Sequence, residues 1–248
     1  MILREHEMID IPTGSGPMRL HVLRPAATGR FPGVVLFSEI YQVTAPIRRL
    51  AAMIAGLGYV VAVPEVYHEY EAAGTVLAYD QPGTDRGNAL KYTKPITAYD
   101  DDARAAIAWL ADHPACTGRI GTMGVCLGGH LALRAAMNGA VSAAACFYAT
   151  DIHSSTLGEG RQDDTLRRIG EISGELLMVW GRQDPHVPFA GRQMIRETFE
   201  AANARYEWYE VNGQHAFLRD EGLRYDPALF LQCMAWVRSM FERTLRPG

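Results

Sequence analysis

From Gly33 onward, short apolar runs alternate with stretches of helical period, and this alternation restricts the fold more than any other feature. Gly33–Phe37 and Tyr59–Val63 are continuous apolar runs, typical of strands buried on both faces. Between them, apolar residues three and four positions apart predict a helix from Ala45 to Gly58. Strands that alternate with helices pair in parallel through right-handed crossovers. The sequence therefore predicts an α/β fold with a mostly parallel, doubly wound sheet and helices on both faces.

The alternation continues to the end of the chain. Further strands are predicted at 119–124, 143–148, 176–180 and 205–211, and further helices at 101–110, 128–138, 190–202 and 227–245. Ahead of this pattern, Leu3–Ile11 and Met18–Arg24 flank a turn-rich TGSGP and predict a hairpin. We expect one domain over residues 1–248.

Two stretches, 65–95 and 151–174, lack clear periodicity and are predicted to be irregular. In a doubly wound sheet, ligands bind outside the carboxyl ends of the strands, where such loops emerge. Both stretches are therefore predicted to form walls of a pocket.

Composition excludes several classes of protein. The formal net charge is only −4, with both signs interspersed, which gives no electrostatic case for nucleic acid or an anionic membrane. No apolar run approaches the roughly 20 residues of a membrane span, and acidic residues interrupt the N-terminus where a signal peptide would be apolar. We therefore expect a cytoplasmic protein, with a monomer as the default. The four cysteines form no CxxC pair and the histidines show no metal-ligand spacing, so no zinc ribbon, redox dithiol or other metal site is predicted.

The strongest chemical signal is Gly124-Val-Cys126-Leu-Gly128-Gly, which follows an apolar strand and opens an alanine-rich helix. This is the context of the elbow Gly-x-nucleophile-x-Gly, in which the sharp turn leaves no space for a Cβ beside the nucleophile. The helix dipole at that position favours a thiolate. Cys126 is therefore the candidate nucleophile, although a buried structural cysteine in an ordinary turn is the plainer alternative.

Two further residues complete a constellation. Asp184 follows the predicted strand 176–180, and His215 follows the strand 205–211. The order nucleophile, acid, histidine is the order of the α/β-hydrolases. His215 would move the proton and Asp184 would fix its tautomer. Taken singly, Asp184 could be a turn residue and His215 a surface histidine; their joint order and context favour a triad.

At these motifs the sequence resembles the dienelactone hydrolases (carboxymethylenebutenolidases), from Gly33 to the last helix. The elbow with cysteine is close to that of the family, and Phe37-Ser-Glu39-Ile40-Tyr, Tyr59-Val-Val-Ala-Val-Pro64 and His215-Ala-Phe-Leu-Arg219 are also similar to it. The resemblance implies an α/β-hydrolase fold and no cofactor.

The resemblance also implies roles for individual residues. Glu39 would be the partner and switch of the Cys126 thiol, and the backbone N–H groups of Ile40 and Leu127 would form the oxyanion hole. Arg219 would bind a substrate carboxylate, although it could instead be a surface arginine that pairs with Asp220 or Glu221.

The family has a second arginine in the region after Pro64, and here the match is poor. Arg86 is the only arginine between Arg49 and Arg104, but its surroundings do not align convincingly, and Lys91 and Lys94 are nearby alternatives.

The implied reaction is hydrolysis of a small-molecule lactone or ester that carries a carboxylate, through a thioester on Cys126. A carboxylesterase or thioesterase of the same fold with a neutral substrate is the nearest alternative. A catalytically silent hydrolase-fold protein that binds a ligand is a third possibility, which the presence of all three triad residues disfavours.

Overall fold

A computed structural model describes residues 1–246, and its centre is one eight-stranded sheet. The strands lie in the order β1-β2-β4-β3-β5-β6-β7-β8, antiparallel where β2 meets β1 and β4 and parallel elsewhere. Their bounds are β1 Glu7–Thr13, β2 Gly16–Leu23, β3 Phe31–Phe37, β4 Val60–Pro64, β5 Cys116–Val125, β6 Val141–Phe147, β7 Glu175–Gly181 and β8 Tyr206–Val211.

Six helices connect and cover these strands within the described residues. Their bounds are α1 Ala45–Gly56, α2 Gln81–Thr93, α3 Ile96–Asp112, α4 Leu127–Ala135, α5 Phe189–Ala201 and α6 Pro227–Leu245.

The central strand β5 shows how both faces of the sheet are covered. A Cβ at Gly121 would contact Phe241 and Leu245 of α6, whereas the hydroxyl of the next residue, Thr122, donates to the carbonyl of Ala132 in α4. Because consecutive strand residues point to opposite faces, α6 and α4 lie on opposite sides of the sheet. The α/β-hydrolase fold with a mostly parallel sheet is confirmed.

One prediction is wrong over part of its length. Within 65–95, which the sequence indicates is irregular, residues 81–93 form α2. Two of its four buried positions are glycines, Gly83 and Gly87, so the helix carries no apolar stripe that periodicity would detect. A Cβ at Gly87 would come within 2.6 Å of the Ile40 carbonyl oxygen, so this helix packs directly on the loop after β3.

The start of α2 did carry a local signal. Asp80 caps the helix by accepting a hydrogen bond from the Gly83 N–H, and Pro82 lies in the first turn. Both are typical features of helix N-termini. The structure also begins α3 at Ile96, five residues before the predicted start at Asp101.

In residues 1–246 we find no helix with the length and apolar character that crossing a bilayer requires.

Candidate active site

The turn from β5 into α4 holds Cys126 in a strained conformation. Its φ is 57° and its ψ is −123°, a backbone conformation that residues other than glycine rarely adopt. A Cβ at Gly124 would overlap the Gly128 carbonyl, and one at Gly128 would overlap the Phe37 carbonyl. Only glycines at these two positions allow a turn tight enough to place Cys126 at the start of α4. Backbone strain of this kind is common at functional sites.

His215 and Asp184 lie beside this turn because β7 and β8 end at the same edge of the sheet as β5. The Nδ1 of His215 is 2.7 Å from Asp184 Oδ2, and both side chains are buried. Cys126 lies on the same cavity wall as His215, and interaction with the Cys126 side chain is among the causes that raise the pKa of His215. The structure therefore brings the three predicted residues together in the order sulfur, imidazole, carboxylate.

The protonation of His215 depends on its two partners. Burial by itself lowers the pKa of His215, but the negative charge of a Cys126 thiolate and the hydrogen bonds to Asp184 and Cys126 outweigh it and raise that pKa to about 10. Burial also opposes ionisation of Asp184, yet the hydrogen bond and charge of His215 hold the pKa of Asp184 below its usual range. Both partners of His215 therefore favour the protonated form of its imidazole.

Aromatic rings fix the His215 imidazole from two sides. Tyr148 and His186 both meet it edge to face, with centroid distances of 5.1 and 4.5 Å. The sequence identified His186 only as a neighbour of Asp184 that follows no strand of its own. In the structure it lies on the wall of the cavity next to His215.

The two N–H groups predicted for the oxyanion hole belong to Ile40 and Leu127. Within residues 1–246 neither has a hydrogen-bond acceptor, and Leu127 is the first residue of α4, where N–H groups have no partner inside the helix. Both N–H groups are therefore available to donate hydrogen bonds, as the predicted role requires.

Glu39 is buried, with 3% of its surface exposed. The Tyr79 hydroxyl donates to its Oε1 at 2.7 Å, and Arg219 Nη1 lies 3.6 Å from its Oε2. Burial raises the pKa of Glu39, against the charge of Arg219 and the hydrogen bond from Tyr79. Glu39 is therefore a carboxyl that can hold a proton more readily than an exposed glutamate.

Arg219 contacts the site and not the acids that follow it in the sequence. Its guanidinium lies over the ring of Tyr79, 4.3 Å from the centroid, and Asp220 and Glu221 bind Arg49 instead. The alternative of a surface arginine paired with Asp220 or Glu221 does not describe this structure.

Arg86 is not brought to the site. Its side chain is half exposed and pairs with Glu71 at 2.7 Å, and it is not among the residues that line the cavity. Lys91, one turn further along α2, does line the cavity, where its Nζ lies 3.0 and 3.1 Å from the two carboxylate oxygens of Asp151. Lys94, the other alternative, is fully buried against Glu69 and Asp102.

A cavity of about 880 Å³ opens over these groups, with Cys126, His215, Glu39 and Arg219 in its wall. Both stretches that the sequence assigns to pocket walls contribute to it. The remaining lining residues include Thr84, Asn88, Lys91, Tyr92, Asp151, His153, Ser154, Thr156, Leu223 and Arg224.

One group of ligand-type side chains lies outside this cavity. His68, Glu69 and Asp102 bring their ligand atoms close together, and the ammonium of Lys94 lies 2.6 Å from Glu69 and also pairs with Asp102. The two carboxylates therefore share a lysine counter-ion.

Comparison with known proteins decides the family. The sequence model of the dienelactone hydrolase family matches residues 18–244. The chain belongs to the dienelactone hydrolase family. A Saccharomyces cerevisiae protein with the provisional name carboxymethylenebutenolidase is 42% identical to it, over 96% of this chain and 91% of that one. The carboxymethylenebutenolidase of Pseudomonas putida is 30% identical over 78% of each chain.

Solved structures agree on the fold. A Klebsiella pneumoniae protein, provisionally named a dienelactone hydrolase, superposes with a TM-score of 0.84 at 22% identity, over 98% of this chain and 100% of that one. The resemblance drawn from the sequence motifs is confirmed: the protein is a hydrolase of the dienelactone hydrolase family.

The sequence motifs did not identify every residue of this dienelactone hydrolase-type site. Tyr79, which donates to Glu39, and Arg224, which lines the cavity, were missed because neither belongs to a motif: Tyr79 lies before α2 and Arg224 lies in the loop after His215. Only the position of Arg224, five residues after Arg219, is a signal that could have drawn attention to it.

Proposed function

We propose that this protein hydrolyses a carboxylate-bearing lactone or ester through a thioester on Cys126. The observation that carries the proposal is the cysteine at the strained turn, which shares a cavity wall with a histidine that a buried aspartate orients. A thiolate is a strong nucleophile towards an ester carbonyl, and an adjacent imidazolium stabilises it.

In the first half of the reaction, the Cys126 thiolate attacks the carbonyl carbon. A C–S bond forms and the carbonyl π electrons move to oxygen, where the N–H groups of Ile40 and Leu127 would stabilise the charge. Collapse of this intermediate breaks the C–O bond, and the leaving oxygen takes the proton of His215. In a lactone the leaving oxygen stays attached to the acyl part, so the ring opens to one thioester.

In the second half, water attacks the thioester. His215 takes a proton from the water, the C–S bond breaks, and the carboxylic acid and the Cys126 thiolate are released. Asp184 keeps the imidazole in the tautomer that both transfers require.

Arg219 supports a substrate with a carboxylate. It is partly exposed on the cavity wall, and its planar guanidinium suits two parallel hydrogen bonds to a carboxylate. Its neighbour Glu39 suggests a coupling: a substrate carboxylate at Arg219 would compete with Glu39 for that charge. Glu39, thus released, would be free to accept the proton of the resting thiol.

The four cysteines offer a direct test. Burial raises the pKa of Cys146, and it raises that of Cys233 to about 12, so both remain thiols at neutral pH. Cys126→Ala should abolish hydrolysis of an anionic lactone, while Cys116→Ala, Cys146→Ala and Cys233→Ala should retain it in proportion to their folded fraction.

Alkylation coupled to turnover completes the test. One equivalent of an alkylating reagent should abolish activity, and peptide mass spectrometry should locate the modification at Cys126. Full activity in Cys126→Ala, or in enzyme alkylated at Cys126, would refute the cysteine mechanism.

A further inference from the structure

The cationic side chains on the cavity wall differ in how their charges are balanced. Arg219 has the carboxylate of Glu39 at 3.6 Å, and Lys91 has that of Asp151 at 3.0 Å. Arg224 lines the same cavity, but within residues 1–246 no carboxylate lies within 4.0 Å of it and its guanidinium makes no hydrogen bond. Arg224 is thus the cavity's uncompensated positive charge.

Arg219 and Arg224 line the same cavity but have different neighbours. Arg219 lies against Glu39, Tyr41 and Tyr79. Arg224 makes none of these contacts within residues 1–246, and the cavity wall that it shares with Arg219 also holds Cys126 and His215. The reacting groups thus share their cavity with two arginines in different surroundings.

The cavity has space for a substrate that reaches both sides. Its volume of about 880 Å³ lies towards the upper end of the range for sites that enclose a drug-sized ligand, roughly 300–1,000 Å³. A single five-membered lactone ring with one carboxylate would leave much of it unfilled. Leu223, fully exposed beside Arg224, adds apolar surface at this rim.

We propose that the substrate carries a second anionic group, which Arg224 binds while Arg219 binds the first. This inference rests on the proposed function and specifies its substrate class as a dianionic lactone or ester. A guanidinium without a carboxylate partner can bind an anion without first breaking an ion pair, which makes it the more available of the two arginines.

Four matched phenyl esters test the inference. Phenyl acetate is neutral, monophenyl succinate and 4-acetoxybenzoate each carry one carboxylate on opposite sides of the ester, and 4-(succinyloxy)benzoate carries both. We expect wild-type kcat/KM for the dianion to exceed that of either monoanion by about tenfold or more, because each charged hydrogen bond adds binding.

Two variants that each remove one positive charge distinguish specific binding of the second carboxylate from general electrostatic attraction of an anionic substrate. Arg224→Gln should reduce the dianion-to-monoanion ratio of kcat/KM to near one. Arg167→Gln removes an equally exposed arginine outside the cavity and should keep the wild-type ratio.

The outcomes are distinguishable. An absent preference for the dianion in the wild type, or a ratio that Arg224→Gln and Arg167→Gln change equally, would overturn the role of Arg224. If Arg224→Gln lowers kcat/KM equally for all four esters, Arg224 only supports the fold of its loop. That result would also overturn the proposed role of Arg224. Cys126→Ala measured on phenyl acetate reports separately on the proposed cysteine mechanism.

Discussion

At the scale of single residues, the protonation of Glu39 depends on opposing influences. Its burial favours the protonated carboxyl, whereas Arg219 and the Tyr79 hydroxyl favour the carboxylate. Such a group can exchange a proton with a nearby thiol when its surroundings change. The proposed switch is that an anion at Arg219 removes the ion pair and lets Glu39 take the proton of Cys126.

Replacement of this carboxyl should alter the resting thiol. Glu39→Gln removes an anion from beside Cys126, so we expect faster alkylation of Cys126 in the free enzyme and slower turnover of an anionic lactone. A non-hydrolysable carboxylate analogue should also accelerate alkylation of the wild type, measured with a small reagent and quantified by mass spectrometry. If neither the substitution nor the analogue changes the rate, Glu39 has only a structural role in its loop.

Arg219 leads to a prediction about specificity. Since a charged hydrogen bond contributes about 1.5–3 kcal/mol, Arg219→Ala should lower kcat/KM for a carboxylate-bearing lactone by roughly 10- to 100-fold. A neutral aryl ester should lose much less, because it offers no anion to the guanidinium. Equal losses on both substrates, measured under the same conditions, would assign the arginine a purely structural role.

At the scale of elements, the connection between β5 and α4 is the feature that positions the nucleophile. It brings the start of a helix against the carbonyl groups at the end of β3, with no space for a side chain between them. The atoms that a Cβ would meet belong to the backbone of the central sheet, so they cannot move aside as a flexible side chain would.

A methyl group at this contact should be poorly tolerated. Gly128→Ala would place its Cβ on the Phe37 carbonyl, so we expect a loss of several kcal/mol in the free energy of unfolding, about 3 or more, together with loss of activity. Gly139→Ala is the matched control, because a Cβ there meets nothing within 4 Å. Urea unfolding of both variants measures the difference; a stable, active Gly128→Ala would show that the turn can relax.

At the scale of the whole molecule, a buried ionic cluster ties the pocket segments to the helices. Lys94, at the end of α2, is fully buried and donates to the Val66 carbonyl, to Glu69 and to Asp102 of α3. His68 adds a contact to Asp102 at 3.0 Å. The cluster thus fixes the start of the 65–95 segment relative to α2, which carries Lys91 into the cavity.

Removal of this central cation should destabilise the protein. Lys94→Met leaves Asp102 and Glu69 close together without their counter-ion, and we expect a loss of about 3–5 kcal/mol in the free energy of unfolding. Arg104→Met, which breaks an exposed pair with Asp101, should change stability by about 1 kcal/mol or less. A double variant, Lys94→Met with Asp102→Leu, should recover part of the loss, because it removes a buried charge that lacks a partner. Equal effects of the two single substitutions in urea unfolding would contradict this role of the cluster.

The sequence by itself determined the family and the order of the strands and of every helix except α2. It also indicated that Cys126, Asp184 and His215 follow strands whose ends meet at one edge of the sheet. These features depend on local patterns: apolar periodicity, glycines at a turn too tight for a Cβ, and the positions of polar residues directly after strands. Each of them can be recognised within a few consecutive residues.

Only the tertiary structure decided which charges meet. Arg86 and Lys91 lie in the same helix, yet α2 directs one to Glu71 at the surface and the other to Asp151 in the cavity. Arg219 contacts Glu39 and not the adjacent Asp220, and Arg224 remains unpaired within the described residues. Ion pairs of this kind join residues far apart in the chain, and their partners depend on how helices and loops pack, so no local pattern in the sequence encodes them.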